Sequence, residues 1–177
     1  MTTESWWTIV VGPELMQGDL LPNCGVPVLP ADFDPQPASG ERPYVDIDIR
    51  DLIIVTQSCD LVNSKLSFVA ACSVYTLAEY EESNTGFTSR GKWEAVRQGR
   101  IEGLHMLASP VAPGDNSQAL VADFRQIFSL PLDYVARLAD EAGERNRLRS
   151  PYLEHFSQAF ARLFMRVGLP SDIRPFR

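Results

Sequence analysis

Cys59 stands in Thr56-Gln57-Ser58-Cys59-Asp60, directly after an apolar run, where a strand-to-turn junction would display a nucleophile. A reactive thiol needs a positive neighbour to lower its pKa, and Asp60 does the opposite. Only His105 or His155 could act as its base, because the chain has no other histidine. Cys59 therefore reads as a structural thiol, and Cys72, inside an apolar run, as a core residue. Asp46, Asp48, Asp51 and Asp60 raise a second chemistry, magnesium held by carboxylates. Asp46 and Asp48 would share one strand face about 7 Å apart. The same alternation also keeps an exposed strand soluble. Three scattered cysteines without a CxxC pair, and two histidines, argue against a structural zinc site. No metal or cofactor is expected.

The elements that would carry these residues follow from periodicity. Trp6–Val11 reads as a short buried strand ended by Gly12-Pro13, and Met16–Leu21 as a second. Six prolines in residues 22–43 predict an irregular loop or a sheet edge. Tyr44–Ile49 alternates, with Val45, Ile47 and Ile49 predicted on the buried face. Leu52–Thr56 is a continuous apolar strand and Leu66–Thr76 a third. Residues 79–92 read as a polar surface loop, with a short helix over Trp93–Gln98. Leu104–Leu107 and Ala119–Phe128 return to the sheet. Pro131–Ala142 is predicted helical and stopped by Gly143. The last helix is predicted with Ser150 as N-cap and Pro151 first inside it. Leu153, Phe156, Phe160, Leu163, Phe164 and Val167 form its apolar stripe, which should dock on the sheet.

The chain has 177 residues, 45% hydrophobic and 22% charged, which excludes a disordered tail and a disulfide-stapled miniprotein. A single domain over 1–177 is expected. No apolar run is long enough for a membrane span. The start lacks a basic region and a cleavage site, so no signal peptide is read, and reduced thiols point to a cytoplasmic protein. Residues 1–89 hold 13 acids and 3 bases, whereas residues 90–177 carry a net charge of +3. The first half would repel a polyanion and suits a basic protein partner. Any nucleic-acid contact falls to the arginines of the second half.

The segment Arg50–Val74, R-D-L-I-I-V-T-Q-S-C-D-L-V-N-S-K-L-S-F-V-A-A-C-S-V, resembles the core of the PemK/MazF toxins. Upstream, Gly18-Asp19-Leu20-Leu21 is similar to that family's strand start, so the likeness covers residues 16–76. The resemblance implies a bacterial SH3-like barrel that dimerises and cuts single-stranded RNA without a metal. By position Arg50 matches the family's catalytic arginine and Ser73 its catalytic threonine or serine. Such cleavage needs a group to handle the 2′-OH proton and a cation to oppose phosphorane charge. Asp51 departs from the family's proline and places an acid beside the arginine.

Arg149 and His155 resemble the arginine–histidine spacing of HEPN ribonucleases, which implies an acid/base role for His155 and charge support from Arg149. Without that resemblance they read as a solvated residue and a surface helix residue. The expected architecture is α+β, a small mostly antiparallel sheet or SH3-like barrel over 1–128 with a two-helix cap over 131–168. Two functions stay open: an endoribonuclease or degenerate RNA-directed relative, and a non-enzymatic interaction module whose acidic face docks a basic partner.

Overall fold

The computed structural model describes residues 5–36, 44–63 and 66–165. The fold is α+β. Strands β2 (Leu20–Val28), β3 (Asp46–Ile54), β4 (Phe68–Thr76), β5 (Leu104–Leu107) and β6 (Leu120–Pro131) form one antiparallel sheet in the order β2-β3-β4-β6-β5. Strands β1 (Trp7–Val10) and β7 (Arg145–Leu148) pair as a separate ribbon. Helices are α1 (Ser58–Val62), α2 (Leu77–Ser83), α3 (Arg90–Arg97), α4 (Leu132–Ala142) and α5 (Tyr152–Phe164). No helix among the described residues is long and apolar enough to cross a membrane.

Alternation sorts the sheet's side chains. Leu52, Ile54, Val69, Ala71 and Leu130 pack against Val135 and Ala139 of α4. Further along the same face, Leu104 and Val121 pack against Tyr80 of α2 and Trp93 and Val96 of α3. The opposite face presents Ile53, Cys72, Val74 and Phe124 to Trp7 and Leu148 of the ribbon and Phe156 of α5. Phe156 is fully buried, with its ring edge-on to Phe124 at 5.3 Å, and Phe160 meets Phe124 at the same distance. The expected docking of α5 on the sheet therefore holds, although Phe164 is exposed and Val167 lies outside the described residues.

The ribbon is tied to the sheet by charge. Asp19, fully buried, accepts from Arg145 Nε at 3.2 Å and from Arg147 Nη2 at 2.9 Å. Arg145, 3% exposed, also donates to the carbonyls of Gly12 and Glu14. One bridge, Asp19 to Arg147, carries the ladder from β7 to the sheet. At the other side Trp7 Nε1 donates to Ala108 O at 2.8 Å, just past β5. These contacts bring the ribbon across the sheet, but no closed barrel forms among the described residues.

Of the two readings of the proline-rich stretch, the sheet edge holds as far as Val28, where it forms the edge strand β2. Pro27 lies on that edge and Pro22 falls where the register slips between Leu21 and Cys24, so neither missing N–H breaks a central ladder. Pro37 and Pro43 lie outside the described residues. Other expectations change. The two strands expected at 44–56 are one, β3, since β2 pairs along its length. The expected burial of that strand's apolar face is absent: Ile47 and Ile49 are 61% and 65% exposed, and Asp46 is exposed as well. Strand β3 runs past the end of β4, pairing with it only over Asp51–Ile54, so nothing covers this stretch.

Residues 79–92 are not a loop. Thr76 and Glu79 form a capping box that starts α2, and Tyr80 anchors it, 2% exposed. Between α4 and α5 lies β7, which periodicity over four residues, Arg-Asn-Arg-Leu, does not signal. The two helices consequently pack on opposite faces rather than forming one cap. Ser150 does not cap α5, whose N-cap position is Pro151 without a side-chain hydrogen bond. Gly143 does end α4, with φ 68.

Candidate functional site

On the face shared by α2 and α4, the two helical packings leave a polar gap. It opens as a cleft of about 790 Å³ between the β3 edge and α2. Its floor is made by a wide bulge: Ser73 pairs with Asp123 while Cys72 pairs with Ile127, so Phe124, Arg125 and Gln126 have no partner on β4. Such bulges re-aim side chains. Gln126 Oε1 accepts from Tyr75 Oη at 2.6 Å and from Arg50 Nη1 at 2.9 Å. Arg125 grips Asp123 through Nε at 2.8 Å and Nη2 at 2.7 Å.

The network continues through the cleft. Arg50 donates to Asp48 at 2.8 Å and also to the Tyr75 hydroxyl, and Arg125 reaches Tyr80 Oη. Gly103, at φ +79, lets the Arg125 stem lie over its backbone; a Cβ there would stand 2.9 Å from Arg125 Cγ. The Asp123 side chain is 2% exposed, that of Arg125 51%. The bidentate bond to Asp123 holds Arg125 firmly protonated. Burial, with the Asp123 charge behind it, pushes the Tyr80 hydroxyl pKa up, so it stays a donor.

Arg50 and Ser73 share this face. Leu52 pairs with Ser73 and Arg50 precedes Leu52 by two residues, which makes Arg50 and Ser73 diagonal neighbours. Arg50 Nε and Ser73 Oγ are both buried without hydrogen-bond partners. Arg50 lines the cleft, whereas Ser73 is fully buried beneath it. Acids outnumber bases on the walls: Asp48, Asp51, Glu79 and Glu82 face a single lining arginine, Arg50.

The other sequence candidates lie elsewhere. His155 is exposed on α5 and lines a separate groove with His105. Arg149, exposed after β7, is not part of that groove; its backbone N–H bonds Trp6 O at 2.9 Å. Cys59 is exposed on α1, with Gln57 Oε1 at 3.7 Å and Asp60 Oδ1 at 3.8 Å from its sulfur. Burial pushes the Cys24 thiol up to about 12 and raises that of Cys72 as well. No group of three or more His, Cys, Asp or Glu converges as a metal ligand set among the described residues.

Asp123, Arg125, Gln126, Tyr75 and Tyr80 escaped sequence reasoning. The signal present was the polar interruption Asp123–Gln126 within an otherwise strand-like run. What fold and site define is an α+β protein with an acidic, arginine-bridged cleft at a sheet edge. No family model matches the chain, and no match is found among curated proteins.

Proposed function

We propose that the chain is a non-enzymatic docking module that takes an extended, basic segment of a protein partner along the free edge of β3. One observation carries this reading: Asp46–Arg50 pairs with β2 alone, leaving its other edge open beside an acidic cleft. A strand laid there finds backbone partners from β3 and carboxylates from Glu79 and Glu82 of α2. Tyr44, Ile47 and Ile49, exposed along the same arm, offer apolar contact. The one arginine lining the cleft, Arg50, is already held by Asp48, which leaves the wall's excess charge negative. The test is a titration of the full chain with a short labelled peptide alternating lysine and valine. Binding that weakens as salt rises toward roughly 0.5 M and is lost in Glu82→Lys supports docking. An affinity indifferent to both removes it.

A second reading is favoured by the Arg50–Ser73 adjacency and their unpartnered atoms. It is a cytoplasmic bacterial PemK/MazF-like protein with an SH3-like barrel that acts on single-stranded RNA. The near approach of the β1–β7 ribbon to both sheet edges supports that topology. Arg50 would oppose developing phosphorane charge, and Ser73 would need the cleft to open before meeting a 2′-OH. RNA cleavage lost in both Arg50→Ala and Ser73→Ala supports it; wild-type protein that leaves RNA intact ends it.

A further inference from the structure

The molecule's second large depression differs from the acidic cleft in charge. A groove of about 730 Å³ runs beneath α5, against α3 and β5. Arg97, His105, His155 and Arg162 line it, and no aspartate or glutamate does. Both histidines of the chain therefore meet in one place. Acids stand close to its walls without lining it: Glu94 holds Arg97 through bonds of 2.8 and 2.6 Å, Asp115 falls between the lining Gly114 and Asn116, and Glu102 shares a smaller adjoining recess with Arg162. Arg162, exposed on the last turn of α5, makes no ion pair among the described residues.

The floor has an unmet hydrogen-bonding need. His105 stacks on Phe124 at 6.0 Å and meets Phe156 edge-on at 5.8 Å, and its Nε2 is buried without a partner. A buried orphan nitrogen at the base of a groove is a group that a ligand, or a water ordered by one, satisfies. The walls suit a ligand with an organic part. Met106, Leu107 and Ala108 supply apolar surface, Trp6 stands at the rim, and Gln98, Asn116 and Gln158 add amides. The Arg162 guanidinium suits phosphate oxygens, Arg97 keeps its Nη1 beyond the two Glu94 bonds, and amides can bond a heterocycle's polar edge.

We propose that this groove binds a nucleotide-sized organic phosphate, with Arg162 and Arg97 on the phosphate, His155 as a further donor and the amides on the attached ring. The site is independent of the docking reading, because no residue lines both this groove and the acidic cleft.

The test uses the full chain and three probes: adenosine monophosphate, inorganic phosphate and adenosine. Binding is read by calorimetry and by tryptophan emission. Adenosine monophosphate should bind more tightly than inorganic phosphate, and adenosine should bind at least tenfold more weakly than the monophosphate. Arg162→Gln should weaken monophosphate binding about tenfold, and His155→Gln should weaken it less. Both residues are exposed on α5, and an unchanged melting curve verifies the fold of each variant. Glu82→Lys should leave this binding as it is. The proposal is overturned if the monophosphate shows no binding at millimolar concentration, or binds no better than adenosine. It is equally overturned if Arg162→Gln and Arg97→Gln both leave the affinity unchanged, or if Glu82→Lys abolishes it.

Discussion

Asp19 and Asp123 are both buried carboxylates gripped by arginine, yet they sit in opposite circumstances. Asp19 is sealed: its partner Arg145 is itself buried and spends its remaining donors on the Gly12 and Glu14 carbonyls. Asp123 lies at a bulge, and its arginine is half in solvent. The first arrangement welds the β1–β7 ribbon to the sheet. The second leaves its arginine half exposed, bonded to Asp123 and to the Tyr80 hydroxyl. Burial of a charge is common to both arrangements; what separates them is the accessibility of the partner and the bulge beside Asp123.

The sharpest way to break this comparison is to remove each arginine. Arg145→Ala leaves the buried Asp19 with Arg147 alone and takes the buried donor from the Gly12 carbonyl, and should cost about 3–5 kcal/mol, read as a drop in the urea midpoint. Arg125→Ala leaves Asp123 next to solvent and Gln126, and should cost only about 1–3 kcal/mol. Equal losses would mean that the Asp123 site is as sealed as the Asp19 site.

A pH series separates the aromatic side from the acidic one. Burial, with a smaller contribution from His155, lowers the His105 pKa to about 4. The unfolded chain, with a histidine pKa near 6.5, takes up a proton that the folded chain refuses between these values. Stability is therefore fully present above about pH 6.5 and falls as the pH drops toward about 4, by up to about 3 kcal/mol. His105→Phe keeps a ring between Phe124 and Phe156 and should flatten the decline in urea midpoint over that window. An unchanged slope would assign the loss to the carboxylates instead.

The smallest effect on stability is expected at the cleft wall. Glu79 and Glu82 are exposed, so Glu82→Lys should shift stability by no more than about 0.5 kcal/mol while abolishing binding of the lysine–valine peptide. Loss of folding in that variant would make the wall part of the scaffold.

Much of the scaffold was legible from local chemistry. Continuous apolar runs marked β3 and β4 because a strand covered on both faces has no polar side to show. The stripe around Phe156 and Phe160 and the glycine at 143 marked α5 and the end of α4, since helix period and left-handed φ are properties of a few consecutive residues. Helix α2 was also written locally, in the Thr76–Glu79 capping box, and was hidden by the polarity of its Glu79, Glu81 and Glu82.

The chain by itself determined which segments could be strand or helix and that its first half is acidic, because these depend on neighbours in sequence. Tertiary structure alone decided that Ile47 and Ile49 face solvent, since their burial depends on where β4 ends. It alone decided that α4 and α5 lie on opposite faces, through a four-residue strand whose partner is more than a hundred residues away. The cleft obeys the same logic. Arg50, Tyr75 and Gln126 meet because a register slip between β4 and β6 turns Gln126 onto their face. A slip is a relation between two strands, and no single stretch of sequence carries it.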